Sequence, residues 1–116
     1  LVDISREFLK EVGSKISEKK WKVTVHQHYV QLNKKNDTIN LPKTDVLFID
    51  ACHTYEAVKN DMRQYQPLVS PGGFLILHDT IQHEGPRRVA SEMFEKGLKG
   101  CSLATSHGSG ITIFQC

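Results

Sequence analysis

Residues 45–50 read DVLFID, four consecutive apolar side chains between two carboxylates. A run this short and this apolar has no hydrophilic face. It is the pattern of a strand buried on both sides, as in a parallel sheet covered by helices. Parallel neighbours need a crossover between them, usually a helix, and the chain supplies one at once. Thr54 is placed to cap a helix whose apolar stripe is Tyr55, Val58, Met62 and Tyr65. Pro67 and then Pro71-Gly72-Gly73 end that helix and predict a turn. A second short buried strand follows at 74–77 and stops at His78-Asp79.

The same alternation extends in both directions. The opening Leu1-Val2-Asp3 reads as the tail of a strand already under way. Ser5 can cap a helix carrying Phe8, Leu9, Val12 and Ile16 on one side. Gly13 weakens it by about 1 kcal/mol relative to Ala. Trp21 to Val25 is β-rich and predicts a strand. Tyr29, Val30 and Leu32 fit either a strand or a short helical turn, and 33–37 is a polar loop. Gly85-Pro86 predicts the start of another helix, with Pro86 in its first position. Val89, Met93 and Phe94 are expected to face inward, and Gly97 to cap its C-terminus. Residues 101–105 and 111–114 flank a Gly-rich loop and predict an antiparallel hairpin. The expected fold is α/β: a Rossmann-like, mostly parallel sheet with helices on both faces and a C-terminal hairpin. The 116 residues suffice for one domain, 1–116.

Composition narrows the function class. Hydrophobic residues make up 39% and charged residues 24%, which describes a globular chain and not a disordered one. The net charge of +2, with no basic stripe, gives no surface for nucleic acid. No apolar run approaches the roughly 20 residues that cross a bilayer, so no membrane partner is expected. Charges at Asp3, Arg6 and Glu7 do not fit a signal peptide. Cys52, Cys101 and Cys116 are odd in number and lack a C-x-x-C spacing. Reduced thiols in a cytoplasmic protein are the expectation.

Open parallel sheets bind ligands beyond the carboxyl ends of their strands. Three predicted strand ends here carry Asp3, Asp50 and His78-Asp79. A carboxylate at Asp3 can accept two hydrogen bonds from ribose hydroxyls, or simply cap the next helix. Asp50 and Asp79 can converge on a hard divalent cation that orients a hydroxyl and lowers its pKa, or can accept loop amides. His53, three residues beyond Asp50, has the chemistry of a general base. His78 can ligate the metal, act as a base, or orient Asp79; either histidine can equally be an ordinary loop residue. His26, His28, His83 and His107 have no common ligand spacing and are read as structural or surface residues, with His28 and His83 candidates to line the pocket. Arg87-Arg88 is read first as a solvated face and second as an anchor for an acidic substrate. No dyad is specified for Cys52 as a nucleophile.

The run DVLFIDACHTYEAVKNDMRQYQPLVSPGGFLILHDT resembles the fourth strand, following helix and fifth strand of class I S-adenosylmethionine-dependent methyltransferases. The match is to a small-molecule O-methyltransferase group with I-D-G-x-H-x-Y-E-x-V, P-G-G and H-D-T segments. The opening VDIS-x-EFL is similar to that fold's second strand, and the resemblance covers nearly the whole chain. It implies methyl transfer from S-adenosylmethionine to a nucleophilic oxygen or nitrogen, with a hydroxyl of a small-molecule acceptor the expected target. It places Asp3 on the ribose, Gln27 and His28 near the adenine, and Asp50 at the cofactor and catalytic centre with His53 as base. Asp50, Asp79 and His78 are then the ligands for Mg2+ or another divalent cation. Relatives of the catechol O-methyltransferase type carry a lysine base where this chain has His53.

Two departures stand out. Ala51-Cys52 replaces the usual Gly-Asp before the histidine, and no glycine-rich cofactor loop occurs anywhere in the chain. The family's central first strand therefore has no counterpart here. The expectation is a domain incomplete at its N-terminus, with a sheet gap beside the Asp3 strand, completed by further sequence, a homo-oligomer or another chain segment. The alternative function is a non-catalytic Rossmann-like binding or assembly module. A dehydrogenase of the same sheet type leaves the H-D-T segment unexplained.

Overall fold

The computed structural model describes residues 2–3, 10, 14, 28–29, 41–104, 106 and 108–116. Its centre is the strand foreseen at DVLFID, here β3 (Thr44–Ile49). The other strands are β1 (Val2–Asp3), β2 (His28–Tyr29), β4 (Val69–His78), β5 (Lys99–Leu103) and β6 (Ile111–Gln115). Among the described residues they form one sheet in the order β2-β1-β3-β4-β6-β5. β2, β1, β3 and β4 run parallel, and β6 runs antiparallel to both its neighbours, β4 and β5. The strand foreseen at Trp21 to Val25 lies outside the described residues.

The gap expected beside the Asp3 strand is absent among the described residues. β1 takes β3 directly as its neighbour, through the pair Val2↔Ile49, while pairing β2 on its other side. An open central edge would leave backbone donors and acceptors unmet, and this contact closes it.

Among the described residues, helices occupy the crossovers that follow β3 and β4. α1 (Tyr55–Tyr65) starts as its sequence predicts: the Ala57 N–H donates to the Thr54 hydroxyl at 3.4 Å. Glu56 in the first turn faces the positive end of the helix dipole. Val58, Met62 and Tyr65 are buried, and Gln66–Leu68 form a 3₁₀ turn at Pro67. α2 (Glu84–Glu95) begins one residue earlier than the Gly85-Pro86 signal, with His83 at the N-cap. Pro86 is its third residue and still loses no intrahelical bond, because N–H groups of the first turn have no partner within the helix. At the far end the Gly97 N–H donates to Phe94 O and the Leu98 N–H to Met93 O, the paired bonds of a Schellman cap.

Both helices cover the same sheet face. Leu47, Ile49, Leu75, Leu77 and Phe114 meet Val58, Met62, Tyr65, Val89, Ala90 and Met93 in one buried cluster. Each such aliphatic side chain contributes about 1.5–3 kcal/mol by leaving water. The opposite face is open at Val46 and Phe74, which are 51% and 44% exposed. Among the described residues β3 is fully buried only on the α1/α2 side, at Leu47 and Ile49, while Phe48 is half-buried and Val46 exposed. The helix expected from Ser5 lies outside the described residues except for Lys10 and Ser14, both helical.

Two local expectations change. Phe94 is exposed rather than inward, with its ring 4.8 Å from the buried Phe114 ring. Pro71-Gly72-Gly73 is not a turn between elements but part of β4. The register passes from Thr44↔Val69 to Val46↔Phe74, so the extra residues of β4 bulge out. Gly72 makes the bulge possible with φ of +83°. Its N–H donates to Cys116 O, and the Cys116 N–H returns to Gly73 O. The end of the chain thus secures the bulge.

Candidate functional site

Sheet register lines up the three strand ends. Val2 pairs with Ile49 and Ile49 with Leu77, so Asp3, Asp50 and His78 each follow a paired residue at the same carboxyl edge. Gln27 lies outside the described residues, and Asp3 and His28 are placed by their backbones alone. His28 pairs with Val2 in β2, one strand further out.

The side chains of Asp50, His53, His78 and Asp79 converge. Asp79 sits immediately after β4 with φ of 59°, a left-handed conformation that Asp tolerates better than most residues. The turn it opens is closed by the His83 N–H donating to Asp79 O at 3.1 Å. It is tied to the hairpin by N–H donation from Ile81 and Gln82 to Ser109 O. Behind it, a hydroxyl chain connects Ser102, Thr112 and the buried Thr80 at 2.9 and 2.8 Å. This scaffold buries Asp79 to 8% exposure and aims its two oxygens at different histidines.

Asp79 Oδ2 lies 2.9 Å from His53 Nε2. Asp79 Oδ1 lies 3.2 Å from His78 Nδ1, which is also 3.4 Å from Asp50 Oδ1. His78 Nδ1 is buried and makes no hydrogen bond despite both short distances. An imidazole nitrogen flanked by two carboxylate oxygens is repelled unless a proton or cation lies between them. Asp50, His78 and Asp79 offer ligand atoms all within 4.8 Å of one another. The orphaned nitrogen and the oxygen-rich donor set both suit a divalent cation.

One more residue joins the cluster: His83, whose sequence context pointed first to a structural or surface role and second to the pocket lining. The His83 ring stacks on His53 with centroids 4.1 Å apart and 24° between planes. Its spacing of four from Asp79 across a tight turn was the available signal. The pairing with His53 was not readable, because it depends on how α2 docks against the loop after β3.

Arg88 does not face the cluster as an anchor for an acidic substrate. Its guanidinium lies 3.9 Å from the centroid of the Tyr55 ring, and its Nε 3.6 Å from Glu92 Oε1. Tyr55 donates its phenol proton to Glu92 at 2.6 Å, and Lys59 hydrogen-bonds the phenol oxygen. The Tyr55 hydrogen bond is the main cause that raises the Lys59 pKa and lowers that of Glu92. Arg88 therefore belongs to a clamp between α1 and α2, and Arg87 is exposed. Cys52 Sγ contacts Thr54 Oγ1 at 3.7 Å, and no nucleophile dyad involves it among the described residues.

Comparison with known proteins agrees with this architecture. The sequence pattern of the family described as Methyltransferase domain matches residues 2–80. No curated protein sequence matches the chain. Among solved structures, the O-methyltransferase TomG from Streptomyces achromogenes, involved in tomaymycin synthesis and solved with SAM, is similar at TM-score 0.61 and 16% identity. The similarity covers 98% of this chain and 59% of that one. An O-methyltransferase family protein from Burkholderia thailandensis gives TM-score 0.63 at 13% identity over 98% of this chain and 42% of that one. A methyltransferase from Pyrococcus furiosus gives 0.57 at 15%, over 98% and 60%. At such identities the likeness establishes the fold, and the chain spans about three-fifths or less of each of these proteins. No described helix is long and apolar enough to cross a membrane.

Proposed function

This chain belongs to the methyltransferase domain family, and from that premise we propose that it serves S-adenosylmethionine-dependent methyl transfer to a hydroxyl of a small-molecule acceptor. The observation that carries the reading is the 2.9 Å contact between His53 Nε2 and Asp79 Oδ2 at the carboxyl edge of the sheet. A carboxylate at Nε2 keeps the proton on that nitrogen and leaves Nδ1 as the acceptor. His53 Nδ1 then takes the hydroxyl proton as the oxygen attacks. Asp79 stabilises the imidazolium that forms.

When bound, S-adenosylmethionine supplies an electrophilic methyl on a sulfonium, which leaves as a neutral thioether. Little covalent help is needed, and alignment supplies much of the rate. Asp3, at the end of β1, is assigned to the ribose hydroxyls, and Gln27 and His28 to the adenine side. Asp50, at the adjoining strand end, borders both cofactor and acceptor. Asp50, His78 and Asp79 would hold Mg2+ or a similar ion, which would lower the pKa of the acceptor hydroxyl.

Calorimetry with S-adenosylhomocysteine tests the first half. The expected result is saturable binding by this chain or by a longer form carrying it, weakened by Asp3→Ala. No binding by either would overturn the reading. In the form that turns over, His53→Ala is expected to lower kcat by roughly 10²–10⁴-fold with little change in cofactor affinity. The alternative reading is a non-catalytic Rossmann-like binding or assembly module that keeps the same fold without turnover. It predicts cofactor or ligand binding with no product under any acceptor.

A further inference from the structure

We propose that His53, Asp79 and His83 form a binding site for a borderline-soft transition metal such as Zn2+ or Co2+, separate from the oxygen-rich group at Asp50 and His78. The three residues each offer a ligand atom, all within 4.8 Å of one another. His53 Nε2 lies 2.9 Å from Asp79 Oδ2. Ligand atoms of one tetrahedral zinc shell sit roughly 3.3 Å apart, given zinc–ligand bonds of about 2.0–2.2 Å. Side-chain adjustments of about 1 Å therefore close the site.

The surroundings favour it. His83 is the N-cap of α2, yet its side chain makes no capping bond, so the helix does not consume its ring nitrogens. The stacked rings of His53 and His83 are held together by backbone packing. A β-carbon on Gly85 would lie 2.1 Å from His53 O and 2.7 Å from the Tyr55 nitrogen, so α2 begins directly against the loop that carries His53. His53 is about one-third exposed, which leaves a fourth position open to solvent or ligand.

Donor chemistry separates the two groups. Two imidazoles and one carboxylate suit zinc, cobalt or nickel, whereas two carboxylates with one imidazole suit a harder ion better. Asp79 is common to both sites through different oxygens: Oδ2 toward His53, Oδ1 toward His78. An ion on the histidine pair would also remove His53 from proton transfer. Zinc would then inhibit methylation, a corollary that rests on the reading above, whereas the binding itself does not.

The test is metal titration of the chain: Co2+ followed by its visible d–d bands, and Zn2+ and Mg2+ by calorimetry. Variants are His83→Asn and Asp50→Asn. Asn is a good N-cap, so His83→Asn removes the imidazole while keeping the start of α2. The expected result is Zn2+ and Co2+ binding that His83→Asn weakens by roughly tenfold or more, with Asp50→Asn costing less. Unchanged zinc affinity in His83→Asn would overturn the site, as would a larger loss in Asp50→Asn. Should His83→Asn fail to fold, the wild type decides. Zinc-induced shifts of the His53 and His83 imidazole resonances support the site; shifts confined to His78, or no binding, overturn it. None of these readouts needs cofactor or turnover, so a negative result here leaves the methyl-transfer reading standing, and the reverse.

Discussion

Gly85 shows how little space separates α2 from the loop after β3. An added β-carbon would meet main-chain atoms of His53, Thr54 and Tyr55 at 2.1–2.7 Å, and backbone cannot swing aside as a side chain would. Gly85→Ala is therefore expected to push the first turn of α2 away and cost about 1–3 kcal/mol, as overpacking does. Urea or thermal unfolding measures that cost, and the His53–His83 stack should separate in imidazole nuclear Overhauser contacts. At this scale much of the candidate cluster was legible in the sequence. Asp50, His53, His78 and Asp79 were readable because each follows an apolar strand or lies a few residues beyond one. His83 was readable as a candidate pocket residue, but its stacking on His53 was not, because the two are distant in the chain and only the docking at Gly85 brings the rings together.

Between elements, the contact of α1 with α2 depends on Tyr55. Its phenol links Lys59 in its own helix to Glu92 in the other, while its ring lies beneath Arg88. Tyr55→Phe keeps the ring and the cation above it but deletes the bonds to Glu92 and Lys59. A loss of about 1 kcal/mol is expected, read as a lower urea midpoint with an unchanged m-value. Loss of these bonds should also relax Glu92 upward and Lys59 downward in pKa, since the Tyr55 hydrogen bond is the first cause of both shifts. Element identities followed well from sequence for α1, whose cap and apolar stripe are local features. They followed less well for β4. Pro71-Gly72-Gly73 has the composition of a turn, and only pairing with β3 and with Cys116 keeps it within the strand as a bulge.

For the molecule as a whole, stability should carry a pH dependence from Asp61. It lies on the buried side of α1 at 2% exposure, and burial raises its pKa from 3.8 to about 6. Between those values the folded chain holds a proton that the unfolded chain has released. This contribution to stability is therefore present in acid and is lost as pH rises towards 6. Above that, the fold carries a buried carboxylate. Asp61→Asn is expected to flatten the acid-to-neutral slope and to raise stability near pH 7 by roughly 1–2 kcal/mol. Unfolding curves of both proteins at pH 4 and pH 7 check it, and an unchanged slope in Asp61→Asn would assign the pH dependence elsewhere.

The sequence by itself determined the α/β alternation, the parallel run from β3 through α1 to β4, and the row of acids and histidines at the strand ends. These follow from periodicity, caps and strand-end residues, all of which act over a few neighbours. Tertiary structure alone decided that β1 lies directly beside β3 and that α1 and α2 share one face. It also decided that Asp79 divides its two oxygens between His53 and His78, and that Arg88 closes a helix clamp. Those outcomes depend on distances between residues far apart in the chain. Strand register and helix docking set such distances, and no local pattern encodes them.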